Sequence, residues 1–195
     1  MPDFALKQPM TLDEFLEWEQ QQPERWEYID GVVRMMSGGT EDHDRIAVNI
    51  IASLRQKLRG PPCSVHASNL KIVTRPGNAS MYPELFVRCG SREGKRTKSE
   101  DPVVVFEVLS PSTMKYDLTR KRKKYKTIWS LKRIVYLSQD EPRLDMVVRD
   151  ADGHWSDEEL EGLDAVLDLP ELGISLAMAE IYEDTDIARA VAGRG

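Results

Sequence analysis

Glu84 in the stretch YPELFV and Glu107 in VVVFEVLS are carboxylates set into otherwise apolar runs, 23 residues apart. Val103, Val104, Val105, Phe106, Val108 and Leu109 surround Glu107, and a run this apolar predicts a strand covered on both faces. An ionised carboxylate withdrawn from water there needs a cation or a set of hydrogen-bond donors. Pro83 suits the first residue of a second strand that Leu85, Phe86 and Val87 continue. If these strands are hairpin neighbours joined by the loop at 89–101, their carboxylates come within a few ångströms. Two like charges about 4 Å apart repel by about 4 kcal/mol at an effective dielectric of about 20. A divalent cation removes that penalty.

The segment after Glu107 supplies a second clue. A helix is predicted from about Thr113 to Trp129, with Leu118, Tyr125, Ile128 and Trp129 as its apolar stripe. The position continuing that stripe between Leu118 and Tyr125 is Lys121 or Arg122, so a basic group can reach back toward the carboxylates. Taken alone, these residues also fit a buried ion pair with no metal.

The elements that would position these groups follow from the periodicity. TLDE at Thr11–Glu14 has the form of a capping box opening a first helix, and Asp30-Gly31 marks a hairpin inside WEYIDGVVRMM. A second helix is expected over about 41–59, where His43 packs or caps, and SVHASNLKIVT, MYPELFVR and VVVFEVLS follow as three strands. Beyond the third helix come strands at RIVYLS, RLDMVVRD and GHWSD, then a last strand or turn with a short helix. Strand 103–109, helix 113–129 and strand 133–138 form a crossover that makes the two strands parallel. The expected fold is α/β: a mixed central sheet flanked by helices, in one domain over 11–186 with tails at 1–10 and 187–195. Trp26, Tyr28 and Trp129 are expected in the core.

The net charge of −6 averages over a strong asymmetry: residues 139–186 hold 16 acidic side chains against 2 basic ones, whereas 115–126 hold seven basic against one acidic. Further cations, Arg92, Lys95, Arg96 and Lys98, lie in the loop before the Glu107 strand. Cys63 and Cys89 lack a C-x-x-C spacing and read as thiols rather than a disulfide framework. No apolar run has transmembrane length and no export signal opens the chain, so a cytoplasmic protein with no membrane partner is expected. GSREGKRT is too short for a phosphate-binding loop and lacks its hydroxyl residue.

WEYIDGVVRMMSGGTEDHDRI, YPELFV, VVFEVLSPSTMKYDLTRKRKKY and LPELGISLAMAEIY together resemble the Uma-two family, within the PD-(D/E)xK restriction-endonuclease-like superfamily. The resemblance covers residues 10–185 and is most specific at EVLSPST followed by Asp117, Lys121 and Tyr125. It implies a restriction-endonuclease-like fold and a metal-dependent DNA endonuclease. Glu84, Glu107 and the Val108 carbonyl would hold Mg²⁺ or Mn²⁺, Lys121 would act near the scissile phosphate, and Glu27 would be a further ligand or supporting group. Arg92, Lys95, Arg96, Lys98, Arg120 and Lys124 would hold DNA phosphates, and a homodimer would suit cutting both strands. Two departures, Glu84 in place of the family's usual Asp and WSLKRIVYLSQD in place of its Gly-containing turn, leave an alternative: a catalytically degenerate nucleic-acid-binding or interaction protein of the same fold.

Overall fold

Two six-stranded sheets meet face to face across the segment that carries Glu107. The computed structural model describes residues 5–7, 10–36, 38–60 and 62–193. In chain order, β1 (Ala5–Lys7), α1 (Leu12–Glu19), β2 (Trp26–Ile29), β3 (Val32–Met35) and α2 (Glu41–Lys57) come first. Next are β4 (Cys63–Ala67), β5 (Lys71–Thr74), β6 (Ala79–Met81), β7 (Leu85–Cys89), β8 (Lys98–Ser99) and β9 (Pro102–Leu109). A helix follows in three joined pieces, α3 (Met114–Tyr116), a π-helical turn (Asp117–Lys121) and α4 (Arg122–Tyr125). β10 (Arg133–Ser138), β11 (Arg143–Arg149), β12 (Trp155–Glu161), the hairpin β13 (Val166–Leu169) with β14 (Ile174–Ala177), α5 (Met178–Ile181) and α6 (Asp186–Ala192) complete the chain.

The mixed α/β class is as expected, and the larger sheet runs β12-β11-β10-β9-β7-β4. Its β9 and β10 are parallel, pairing Glu107 with Tyr136, which is the crossover read from the sequence. A second sheet, β1-β3-β2-β6-β5-β8, was not anticipated as separate. The stretch MYPELFVR explains it: the chain leaves β6 of one sheet, passes Tyr82, Pro83 and Glu84, and enters β7 of the other. Pro83 carries no N–H and cannot continue a ladder, so the crossing falls there. Asp30 (φ 50°) and Gly31 (φ 83°) form the expected two-residue turn between β2 and β3.

Strand alternation divides β9 between two cores. Val104, Phe106 and Val108 pack toward α2, against Ile46, Ile50 and Leu54. Val105 and Leu109 face the other way, toward Tyr125 and Ile128 and the second sheet's Ile29, Ile72 and Met81. Glu107 shares the parity of Val105 and Leu109, so its carboxylate enters the layer between the two sheets, 3% exposed.

Two expectations are corrected. Cys63 and Cys89 form a disulfide, because the β4–β7 register sets them directly opposite each other, Cα to Cα 3.9 Å; a spacing of 26 residues gives no sign of that register. Trp129 is 77% exposed rather than core, because α4 ends at Tyr125 and the π-turn shifts the phase of the apolar stripe. Residues 5–7 of the expected N-terminal tail form an antiparallel edge pair with β3. Most of the expected C-terminal tail is α6, which is capped by Thr185 and puts Ile187 in the core. The remainder of the two tails, residues 1–4, 8, 9, 194 and 195, lies outside the described residues.

Candidate active site

Glu107, Glu84 and Lys121 line one cleft of about 670 Å³, together with Glu27, His43, Tyr82, Val108, Tyr116 and Asp117. The antiparallel register of β7 with β9 pairs Leu85 with Phe106, so Glu84, the residue before β7, lies at the Glu107 end of β9. Glu27 arrives from β2 of the second sheet. Asp117 and Lys121 are the first and last residues of the π-helical turn, where the wider helix brings both side chains to the buried side.

Lys121 is the hub. Its Nζ lies 2.9 Å from Glu27 Oε1, 3.2 Å from Glu107 Oε1 and 3.4 Å from Asp117 Oδ1. Burial alone would favour the neutral amine, but Glu107, Glu27 and Asp117 outweigh it and hold the Lys121 pKa well above its ordinary value. Of the two basic candidates read from the sequence, Arg122 instead turns outward to Asp157. The Tyr125 hydroxyl donates to Glu107 Oε1 at 2.6 Å, and the Tyr82 backbone N–H donates to Glu27 Oε1 at 2.8 Å.

The carboxylates nevertheless outnumber the cations. Desolvation, with Asp117 and Glu27 adding to it against the pull of Lys121, raises Glu107 from its ordinary 4.5 to about 8. Burial likewise raises Glu27 despite Lys121 and the Tyr82 N–H. Glu84 is less enclosed, its side chain 27% exposed, and its Oε1 lies 2.9 Å from His43 Nε2. Burial works against the charged imidazole, but Glu84 outweighs it, aided by Gln139, and the His43 pKa is raised. A cluster with more carboxyl groups than cations, one of them solvent-facing, fits a hard divalent cation.

His43, Asp117, Tyr82 and Tyr125 were not assigned to the site from the sequence. Asp117 and Tyr125 flank Lys121 at a spacing of four residues, which was a readable signal. His43 sits at the start of α2, where Thr40 rather than His43 caps the helix, and only the packing of α2 beneath the sheet crossing brings it to Glu84.

The residues expected to hold phosphates lie elsewhere. Arg92, Lys95 and Arg96, and Lys98 of β8, lie in the connection from β7 to β9 at the end away from Glu84, five residues or about 16 Å along the strand. There Arg96 is held by Glu93 at 2.8 Å and Asp101 at 3.4 Å, and Lys98 by Glu100 at 3.3 Å. Lys124 is bound to Asp30 at 2.7 Å, while Arg120 is exposed on the helix. None of the six lines the cleft. Asp150, Asp152 and His154 also gather within 4.8 Å of one another, but on an exposed turn where the Asp150 carboxylate accepts from the His154 N–H.

A family model, Uma2, described as "Putative restriction endonuclease", matches residues 12–179. The chain belongs to the Uma2 family. Two proteins of Synechocystis sp. (strain ATCC 27184 / PCC 6803 / Kazusa), both described as uncharacterized, are among its relatives. One, slr1290, is 33% identical over 89% of this chain and 91% of its own length, and the other, sll1609, is 25% identical over 82% and 92%. Among solved structures, a crystal structure described as a "putative nuclease belonging to DUF820 from Anabaena variabilis ATCC 29413" matches with a TM-score of 0.73. That match has 19% identity and covers 89% of this chain and 98% of that one, a likeness of fold. No helix of the described residues is long and apolar enough to cross a membrane.

Proposed function

We propose that this Uma2 protein is a divalent-metal-dependent DNA endonuclease of the PD-(D/E)xK type. The observation that carries the reading is the meeting of Glu84 and Glu107 in one cleft with Lys121 held between Glu27, Glu107 and Asp117. Family membership supports a nucleic-acid substrate. Glu84, Glu107 and the Val108 carbonyl would hold Mg²⁺ or Mn²⁺, with Glu27 behind them. Bound there, the ion supplies Lewis acidity toward a phosphodiester and lowers the pKa of a water molecule.

The protein's own groups prepare that chemistry. His43 fixes the Glu84 oxygen it touches, and Tyr125 does the same for Glu107, so neither carboxylate needs to reorganise when charge develops. Glu107, Glu27 and Asp117 keep the Lys121 amine protonated at the cleft, where it polarises the attacking water or the scissile phosphate. The two flanking sheets exclude bulk water from Glu107, which strengthens each of these interactions.

One observation favours the degenerate, non-catalytic alternative: the Lys121 amine is already engaged by three carboxylates. Incubation of purified protein with supercoiled and single-stranded DNA in Mn²⁺ or EDTA separates the readings. Nicking that needs Mn²⁺ and disappears in Lys121→Ala and Glu107→Gln supports the enzyme. DNA binding without cleavage in any metal supports the alternative.

A further inference from the structure

The helix that supplies Lys121 to the cleft ends beside a surface that the proposed chemistry does not use. Trp129 is 77% exposed, the most exposed large apolar side chain among the described residues. An indole left this far in water gains nothing for the fold, and exposed aromatics of this kind mark contact surfaces. Its surroundings are cationic. Arg149 Nη1 donates to the Trp129 carbonyl at 3.0 Å, and the Arg149 guanidinium lies 5.6 Å from the ring of Trp155, with Lys126 Nζ 5.6 Å away from the same ring. Arg120 and Lys123 are exposed on the preceding helix. From Asp117 in the cleft to Tyr125, where α4 ends, is 8 residues, about 12 Å of helical rise, and Trp129 follows four residues beyond.

We propose that this face binds a single-stranded stretch of nucleic acid, a base stacking on Trp129 while its backbone follows Arg120, Lys123 and Lys126 from the cleft. The proposal rests on the nuclease reading and extends it, assigning as substrate a strand with unpaired nucleotides beside the cut. Stacking needs an open aromatic face, which a free indole offers and which a base inside a duplex cannot reach. The cations supply sequence-independent attraction for phosphates.

The test is binding in EDTA, where no metal-dependent cleavage proceeds, of a labelled single-stranded oligodeoxynucleotide and of its duplex. Fluorescence anisotropy is read for the full chain, Trp129→Ala and Trp129→Phe. Loss of one base stack predicts that the alanine variant weakens single-strand affinity by about 5-fold or more. Phenylalanine should restore most of it, duplex affinity should stay unchanged, and the thermal midpoint should not move because the side chain is exposed. An alanine variant that binds the single strand as the parent does overturns the assignment and gives this face to another partner. Equal loss on single strand and duplex overturns stacking in favour of simple surface attraction. If the parent binds neither oligonucleotide, this inference falls together with the nuclease reading, an outcome distinct from the other two.

Discussion

β7 and β9 carry charged groups at both ends of their shared register, and the two ends treat charge in opposite ways. At the loop end, the buried Arg88 meets Asp101 in two parallel hydrogen bonds of 3.0 and 2.6 Å, and Ser99 and Arg96 add further donors to the carboxylate. The Arg88 hydrogen bond holds Asp101 below its ordinary pKa. At the cleft end, one lysine serves three carboxylates, with Glu84 nearby, and Glu107 is driven up to about 8. A carboxylate met by two guanidiniums and a hydroxyl fastens a loop. An unbalanced cluster costs stability unless a further cation joins it, and that is the signature of a site rather than a clamp.

The largest expected effect comes from removing the hub. Lys121→Met leaves Glu27, Glu107 and Asp117 buried without their cation and should cost about 3–5 kcal/mol in urea unfolding, or abolish folding. Asp101→Asn should cost less, about 1–3 kcal/mol, by weakening the Arg88 clamp, and should leave Mn²⁺ affinity untouched. Glu107→Gln should do the reverse, destroying Mn²⁺ binding by calorimetry while changing metal-free stability by less than about 1 kcal/mol. Unfolding of Glu107→Gln would instead mark the cleft as a second structural clamp.

The two ends should also titrate in opposite directions. Between pH 4.5 and about 8 the folded metal-free protein retains the Glu107 proton that the unfolded chain has lost, so stability falls as pH rises through that window. Asp101 has a depressed pKa, so its contribution is present above its ordinary value of 3.8 and is lost as pH falls through the lowered one. Stability measured against pH in EDTA should lose the upper slope in Glu107→Gln and the acid limb in Asp101→Asn. The smallest effect concerns His43. His43→Leu should weaken Mn²⁺ binding about 10-fold, and His43→Gln, which keeps a nitrogen donor near Glu84, should recover most of it. Equal affinity in the two variants would remove His43 from the proposed metal site.

Much of this contrast was legible in the order of residues. An apolar run with a lone glutamate announces a buried charge, and the basic position on the following helix announces a partner, because period and composition are local properties. The parallel pairing of β9 with β10 followed from the helix between them for the same reason. Whether Lys121 or Arg122 turns inward was decided by the π-turn, which widens the helix by packing that no 3.6-residue period records. The same shift moved Trp129 from the expected core to the surface. Cys63 meets Cys89, and His43 meets Glu84, only because β4 and α2 pack against β7 and the sheet crossing from distant parts of the chain. Contacts between elements depend on register and on which face is covered, and those are settled by the whole core at once.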